Sequence, residues 1–153
     1  MIIEVDKLPV EGARFKGEEV SAILDLDREE GIRLEGPIRY DLKVKLVTGE
    51  LLVNGVLGIH VSLRCSRCVD FFQAELVDPS FSCIQEVAER TESVDLTSDI
   101  REAMLLVFPT HPLCGGDCKG LCARCGGNLK RDECRCKPAR EFRWGGLDNL
   151  KLN

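Results

Sequence analysis

Between residues 40 and 77 apolar residues recur at every second position in three runs, the period of strands that turn one face to a core. Within 40–47, Leu42, Val44 and Leu46 alternate with Lys43, Lys45 and Val47, and Thr48-Gly49-Glu50 reads as a hairpin turn. The longest alternation follows, through Leu51, Val53, Leu57, Ile59, Val61 and Leu63. Gly55 and Gly58 interrupt it and predict a bulge or bend. A third run, through Phe72, Ala74 and Leu76, meets Pro79, and 80–87 is expected to resume as a strand. Residues 1–10 read as a short strand closed by Pro9. Residues 11–36 are weakly patterned, with a strand expected around 20–26. Segment 88–98 is polar and reads as a loop. Helical spacing appears only at 98–108, with Ile100, Ala103, Met104 and Val107 on one face. Ser98 or Asp99 is expected to cap it, and Pro109 to stop it. In the tail, Trp144, Leu147 and Leu150 are spaced as a short amphipathic turn. The expected fold class is α+β: an antiparallel, curved or barrel-like sheet with one main helix and a C-terminal cysteine-rich module. The boundaries read as a β-rich body over 1–109, a metal module over 110–137 and a tail over 138–153.

Composition changes this picture at one end of the chain. Nine cysteines in 153 residues is a high count, and six fall in 23 residues: Cys114-x3-Cys118-x3-Cys122-x2-Cys125-x8-Cys134-x-Cys136. Cys65-x2-Cys68 ends the longest alternating run. The N-terminus lacks the basic and apolar regions of a signal peptide, and no apolar stretch is long enough to span a bilayer. The expected setting is therefore the reducing cytoplasm, where clustered cysteines are metal ligands or redox groups.

Two cysteines two residues apart can aim both sulfurs at one ion, and a tetrahedral zinc ion needs four such ligands. Cys122, Cys125, Cys134 and Cys136 make a compact local set around a turn containing Gly126-Gly127-Asn128. That leaves Cys65 and Cys68 to join Cys114 and Cys118, stapling the module to the sheet. Two structural zinc ions are the expected cofactors, and Cys83 is left over as a small apolar residue. His111 is a possible substitute ligand in the first set. A redox role for Cys65-Ser-Arg-Cys68 is the competing reading, but strands flank the pair where a helix N-terminus would lower a thiol pKa. No phosphate loop, Ser/His/Asp set or paired-carboxylate motif stands out, so the chain reads as a non-enzyme without a small-molecule substrate.

Charge is divided unevenly. Residues 1–118 hold 12 Lys and Arg against 22 Asp and Glu, whereas residues 119–143 hold eight against three. The basic residues of the module, Lys119, Arg124, Lys130, Arg131, Arg135 and Lys137, are candidates for contacts to nucleic-acid phosphates. At 5% aromatic residues the chain is poor in stacking platforms for single strands.

The run Leu63-Arg64-Cys65-Ser66-Arg67-Cys68 resembles the Cys-x-Arg-Cys signature of the YceD family. Cys114-Gly-Gly-Asp-Cys118-Lys-Gly-Leu-Cys122-Ala-Arg-Cys125-Gly-Gly-Asn-Leu is similar to that family's C-terminal cysteine segment, and Arg143-Trp144-Gly-Gly-Leu147-Asp-Asn-Leu150 to its closing stretch. The resemblance implies a non-catalytic role in accumulation of large-subunit ribosomal RNA. The implied partner is an rRNA precursor or a ribosomal protein. A zinc-stabilised protein–protein adaptor is a third expectation.

Overall fold

A computed structural model describes residues 1–88 and 91–136. Lys137 and the turn expected at Trp144, Leu147 and Leu150 lie outside the described residues. The strands are β1 (Ile2–Glu4), β2 (Ala13–Glu19), β3 (Ile32–Leu34), β4 (Ile38–Val47), β5 (Glu50–Arg64), β6 (Phe71–Glu86) and β7 (Ser93–Asp95), followed by the helix α1 (Thr97–Val107). β5 is the centre of a five-stranded antiparallel sheet. β6 runs along one side of it, while β4 and then β3 share the other, and β2 pairs outside β4. β1 and β7 form a separate two-stranded ribbon that ties the N-terminus to the start of α1. The sheet is open: β2 and β6 do not pair with each other, so barrel closure is not reached.

The alternation sorts side chains as expected. Leu42, Val44, Leu51, Val53, Leu57, Ile59, Val61 and Leu63 are buried on one face, against Ile100 and Met104 of α1. Each fully buried aliphatic side chain contributes roughly 1.5–3 kcal/mol relative to exposure. Lys43 and Lys45 take the opposite, outward positions.

Five local expectations are corrected. The strand expected at 20–26 lies at Ala13–Glu19, and Ser21–Leu24 is a 3-10 turn that buries Leu24. The pattern of 13–19 is faint because Ala13 and Gly17 occupy inward positions beside Phe15. At Gly17 an added Cβ would sit 2.6 Å from the Tyr40 hydroxyl, so the small residue makes room for the ring. Pro79 does not break its strand. Pro79 and Ser80 together oppose the single residue Val56, so the bulge belongs to β6 rather than to the glycine-bearing β5. Among the described residues β6 has no strand on its far side, which tolerates a residue without an N–H. Gly55 serves a different need: a Cβ there would come within 2.1 Å of the Asp41 carbonyl oxygen. The polar segment 88–98 contains β7, and Leu96 stands at the N-cap of α1 with no side-chain cap; Asp95, one residue earlier, accepts from the Thr97 N–H at 3.0 Å.

Candidate metal centres

β5 delivers Cys65 to the end of the sheet. The chain then makes a tight knuckle in which Cys65 N–H donates to the Asp70 carbonyl and Val69 N–H to the Cys65 carbonyl, with Val69 at φ 66°. Pro109 ends the helical region, and Ser66 N–H donates to the Pro112 carbonyl at 2.8 Å. That contact lays the loop carrying Cys114 and Cys118 across the knuckle. Arg67 fastens it further, donating from Nη1 to the carbonyls of Gly116 and Cys118 at 3.2 Å each. Gly120 passes so close that a Cβ would lie 3.0 Å from the Arg67 carbonyl.

The result is one group of four sulfurs from Cys65, Cys68, Cys114 and Cys118, and a second from Cys122, Cys125, Cys134 and Cys136. Within each group the sulfurs lie within 4.8 Å of one another. A tetrahedral ion with metal–sulfur bonds of about 2.3 Å sets its sulfurs roughly 3.8 Å apart. Sulfur–sulfur distances include Cys65–Cys118 at 3.9 Å, Cys68–Cys114 at 3.7 Å, Cys125–Cys134 at 3.7 Å and Cys122–Cys134 at 3.3 Å. Both groups therefore fit a four-coordinate metal ion in spacing and in donor chemistry. Among the described residues no histidine joins either group; His111 is exposed, and so is His60.

The two groups differ in surroundings. Cys65, Cys68 and Cys118 are buried, with Phe72 packed against them. Cys125 and Cys136 are exposed, and Cys122 and Cys134 half-buried. The second group sits in a small loop closed by Cys122 N–H to the Gly127 carbonyl and Gly126 N–H to the Cys122 carbonyl. Gly126 takes φ +71°, the left-handed conformation that glycine adopts without penalty.

Backbone N–H groups aim at the sulfurs. Cys114 N–H donates to Cys65 Sγ, Arg124 N–H to Cys122 Sγ and Cys136 N–H to Cys134 Sγ, each at 3.4 Å. Burial opposes ionisation of Cys65, but N–H groups of Cys68, Cys114 and Arg67 outweigh it and bring the thiol down to about 6. Cys122 falls to about 6 because the Cys125 and Arg124 N–H groups face it. Their neighbours move the other way. Cys114 is pushed up to about 12, chiefly by the Cys118 sulfur, and Cys136 to about 12, chiefly by the Cys134 sulfur. Four crowded thiolates repel one another unless a cation sits among them. Cys83 stands apart, half-buried against the main core, and burial raises its thiol to about 11.

Asp70 links the two groups, a role that no spacing signal in the sequence announces. Its carboxylate accepts from Asn128 Nδ2 at 2.7 Å and pairs with Arg131 at 3.1 Å, while its carbonyl closes the first knuckle. Of the candidate cations, Lys119, Arg124, Lys130, Arg131 and Arg135 are all exposed. Arg131 is engaged by Asp70, and Lys130 Nζ lies 3.9 Å from Cys114 Sγ. Lys119, Arg124 and Arg135 make no salt bridge among the described residues. No helix there is long and apolar enough to cross a membrane.

Comparison with known proteins follows the cysteines. Residues 84–151 match the family described as large ribosomal RNA subunit accumulation protein YceD. An uncharacterized protein of Mycobacterium tuberculosis is 30% identical over 121 residues, covering 70% of this chain and 58% of the relative. One from Mycobacterium leprae is 29% identical over 109 residues, covering 61% and 49%. The chain thus spans about half the length of these relatives. A protein of Arabidopsis thaliana named large ribosomal RNA subunit accumulation protein YCED homolog 1, chloroplastic, is 31% identical over 61 residues, covering 39% of this chain and 19% of the relative. No solved structure matches the chain. The matched segment contains six of the nine cysteines and the whole second group, so the likeness to the YceD family lies in the cysteine-rich end of the chain.

Proposed function

We propose that this protein is a non-catalytic, cytoplasmic zinc-binding factor for the accumulation of large-subunit ribosomal RNA, and that it contacts the RNA through its basic cysteine module. The observation that carries the reading is the pairing of two four-thiolate groups with exposed cations on the same loops. All-cysteine sets without histidine, carboxylate or an open position suit structural zinc, which fixes loops rather than performing chemistry. Each loop then holds its cations in place: Lys119 between two first-group ligands and the second group, Arg124 between Cys122 and Cys125, and Arg135 between Cys134 and Cys136. Contacts from such side chains fall on phosphates, which positions RNA without reading its sequence. The family name supports rRNA as the partner. A redox role for Cys65 and Cys68 is disfavoured by access: their relative exposures are 1% and 2%, too little for a disulfide substrate to reach either sulfur.

Native mass spectrometry and filter binding test the reading together. Two zinc ions per chain are expected, with salt-sensitive binding to a large-subunit rRNA transcript that Lys119→Ala with Arg124→Ala weakens. A chain that carries no zinc, or that leaves the transcript unbound at low salt, refutes it.

A further inference from the structure

The body of the chain is acidic by sequence, yet the strand alternation sorts its cations onto one surface. Because Phe15, Leu42 and Val44 face the core, Arg14, Lys16, Arg39, Lys43 and Lys45 all project from the opposite face of β2 and β4. Only two carboxylates, Glu18 and Asp41, share those outward positions. This half of the sheet therefore carries +3, while the rest of residues 1–118 carries −13. α1 covers the inner face, and no element covers this one among the described residues.

The cations are arranged at a cost to the isolated protein. Lys43 stands directly opposite Arg14 across the strand pair, and like charges in that position are destabilising. Asp41 offsets part of this by holding Arg14 through two bonds, at 2.6 and 2.7 Å, and Lys16 at 2.8 Å. Arg39 pairs with Glu75 of β6. Lys43 and Lys45 are left with no salt bridge among the described residues. Beside them, where β6 bulges at Pro79 and Ser80, the surface sinks into a concavity of about 390 Å³. Arg14, Lys43, Asn54, Ser80 and Ser82 line it above an apolar floor of Val56, Pro79 and Phe81, and the one carboxylate in the lining, Asp41, is taken up by Arg14 and Lys16. The same outward face continues along β5 to Arg64, which immediately precedes the first cysteine knuckle.

We infer that the open face of the sheet is a second contact surface for RNA, in which Lys43, Lys45 and Arg14 hold phosphates at the β6 bulge. This rests on the proposal that the partner is RNA. It adds a foothold roughly 35 Å along β5 from the cysteine module, given about 3.3 Å per strand residue. A polyanion answers all three features at once: net positive charge, uncompensated lysines, and donors in a concavity. An apolar or cationic partner answers none.

The test compares full-length protein with the double variant Lys43→Gln and Lys45→Gln, in filter binding to a large-subunit rRNA transcript over a range of salt. Both lysines are exposed and distant from the cysteines, so zinc content and fold should be retained. Loss of the Lys43–Arg14 repulsion should leave the melting temperature equal or higher. Binding should weaken about tenfold, and the slope of log affinity against log salt should fall by roughly 2, about one unit per lost phosphate contact. Affinity within twofold of the parent, while Lys119→Ala with Arg124→Ala still weakens binding, would overturn the sheet-face surface and leave the module reading standing. No binding by the parent protein would overturn both. Tighter binding of polyglutamate than of the transcript by the Lys119→Ala, Arg124→Ala protein, lost when Lys43→Gln and Lys45→Gln are added, would assign the face to an acidic peptide instead of RNA.

Discussion

At the scale of single residues, Asp70 and Cys83 allow the sharpest tests. Asp70 reaches the second loop from the first knuckle through two contacts, so Asp70→Ala removes an ion pair and an amide hydrogen bond together. The expected cost is about 1–2 kcal/mol, since the site is only partly buried. Hydrogen exchange should show the loss as faster exchange at Leu129 and Arg131, with the strands unchanged. For Cys83, burial and the nearby Asp99 charge hold the thiol neutral up to about 11. Its folded pKa lies above the ordinary thiol value, so the stability it adds is present below that value and lost as pH rises toward 11. At neutral pH it should therefore react slowly with iodoacetamide. Cys83 reads from the sequence as a leftover apolar residue, but Asp70 gives no such signal: it is one more acidic residue after a cysteine pair, and its partners lie 58 and 61 positions away.

At the scale of elements, period-2 patterning made β4, β5 and β6 legible, because their inward residues are large and aliphatic. It failed for β2, where Ala13 and Gly17 take inward places, and for β7, whose three residues earn their strand only by pairing with β1. Gly55 was legible as an irregularity, but its physical reason, contact with the β4 backbone, is a tertiary one. Gly55→Ala is expected to push β4 from β5 and cost about 3 kcal/mol, near the upper range for overpacking, read as a lowered denaturant midpoint. The cysteine loops are elements too, and their thiols respond to pH as sets. Cys68 and Cys114 in the first group, and Cys134 and Cys136 in the second, are all raised by neighbouring sulfurs or burial. Raised thiols are protonated at neutral pH, and metal ligation must remove those protons. Zinc loading at pH 7 should thus release at least two protons per ion, measured with an indicator dye in weak buffer, and affinity should fall as the solution is acidified.

At the scale of the molecule, charge was the property that the linear sequence described least well. A count along the chain presents residues 1–118 as acidic throughout, while the pairing of β2 with β4 gathers five cations on one side. The division of the eight cysteines was more legible, because ligand spacing is local in one set and exclusion assigns the other. The exposure of the two sets was not legible, and it has a measurable effect. With Cys125 and Cys136 exposed and Cys65 and Cys68 buried, a chelator such as EDTA should strip the second site first. Two-step metal release followed by mass spectrometry checks this, with the melting of the sheet expected to change only in the second step.

The first group also has a history built into its topology. Its sulfurs meet across 46 and 53 residues of chain, whereas contacts within the second group span 9 and 12. Short loops close early and long ones wait for the structure between them. A full-length chain refolding from the unfolded state would therefore capture one ion before its sheet is complete, and the other only after β6 and α1 are in place. The buried centre then acts as a seal on correct assembly: a chain that has misregistered its strands cannot bring Cys65 and Cys68 to Cys114 and Cys118. Pulsed alkylation during refolding with zinc should find Cys122 and Cys134 protected first, and Cys65 last.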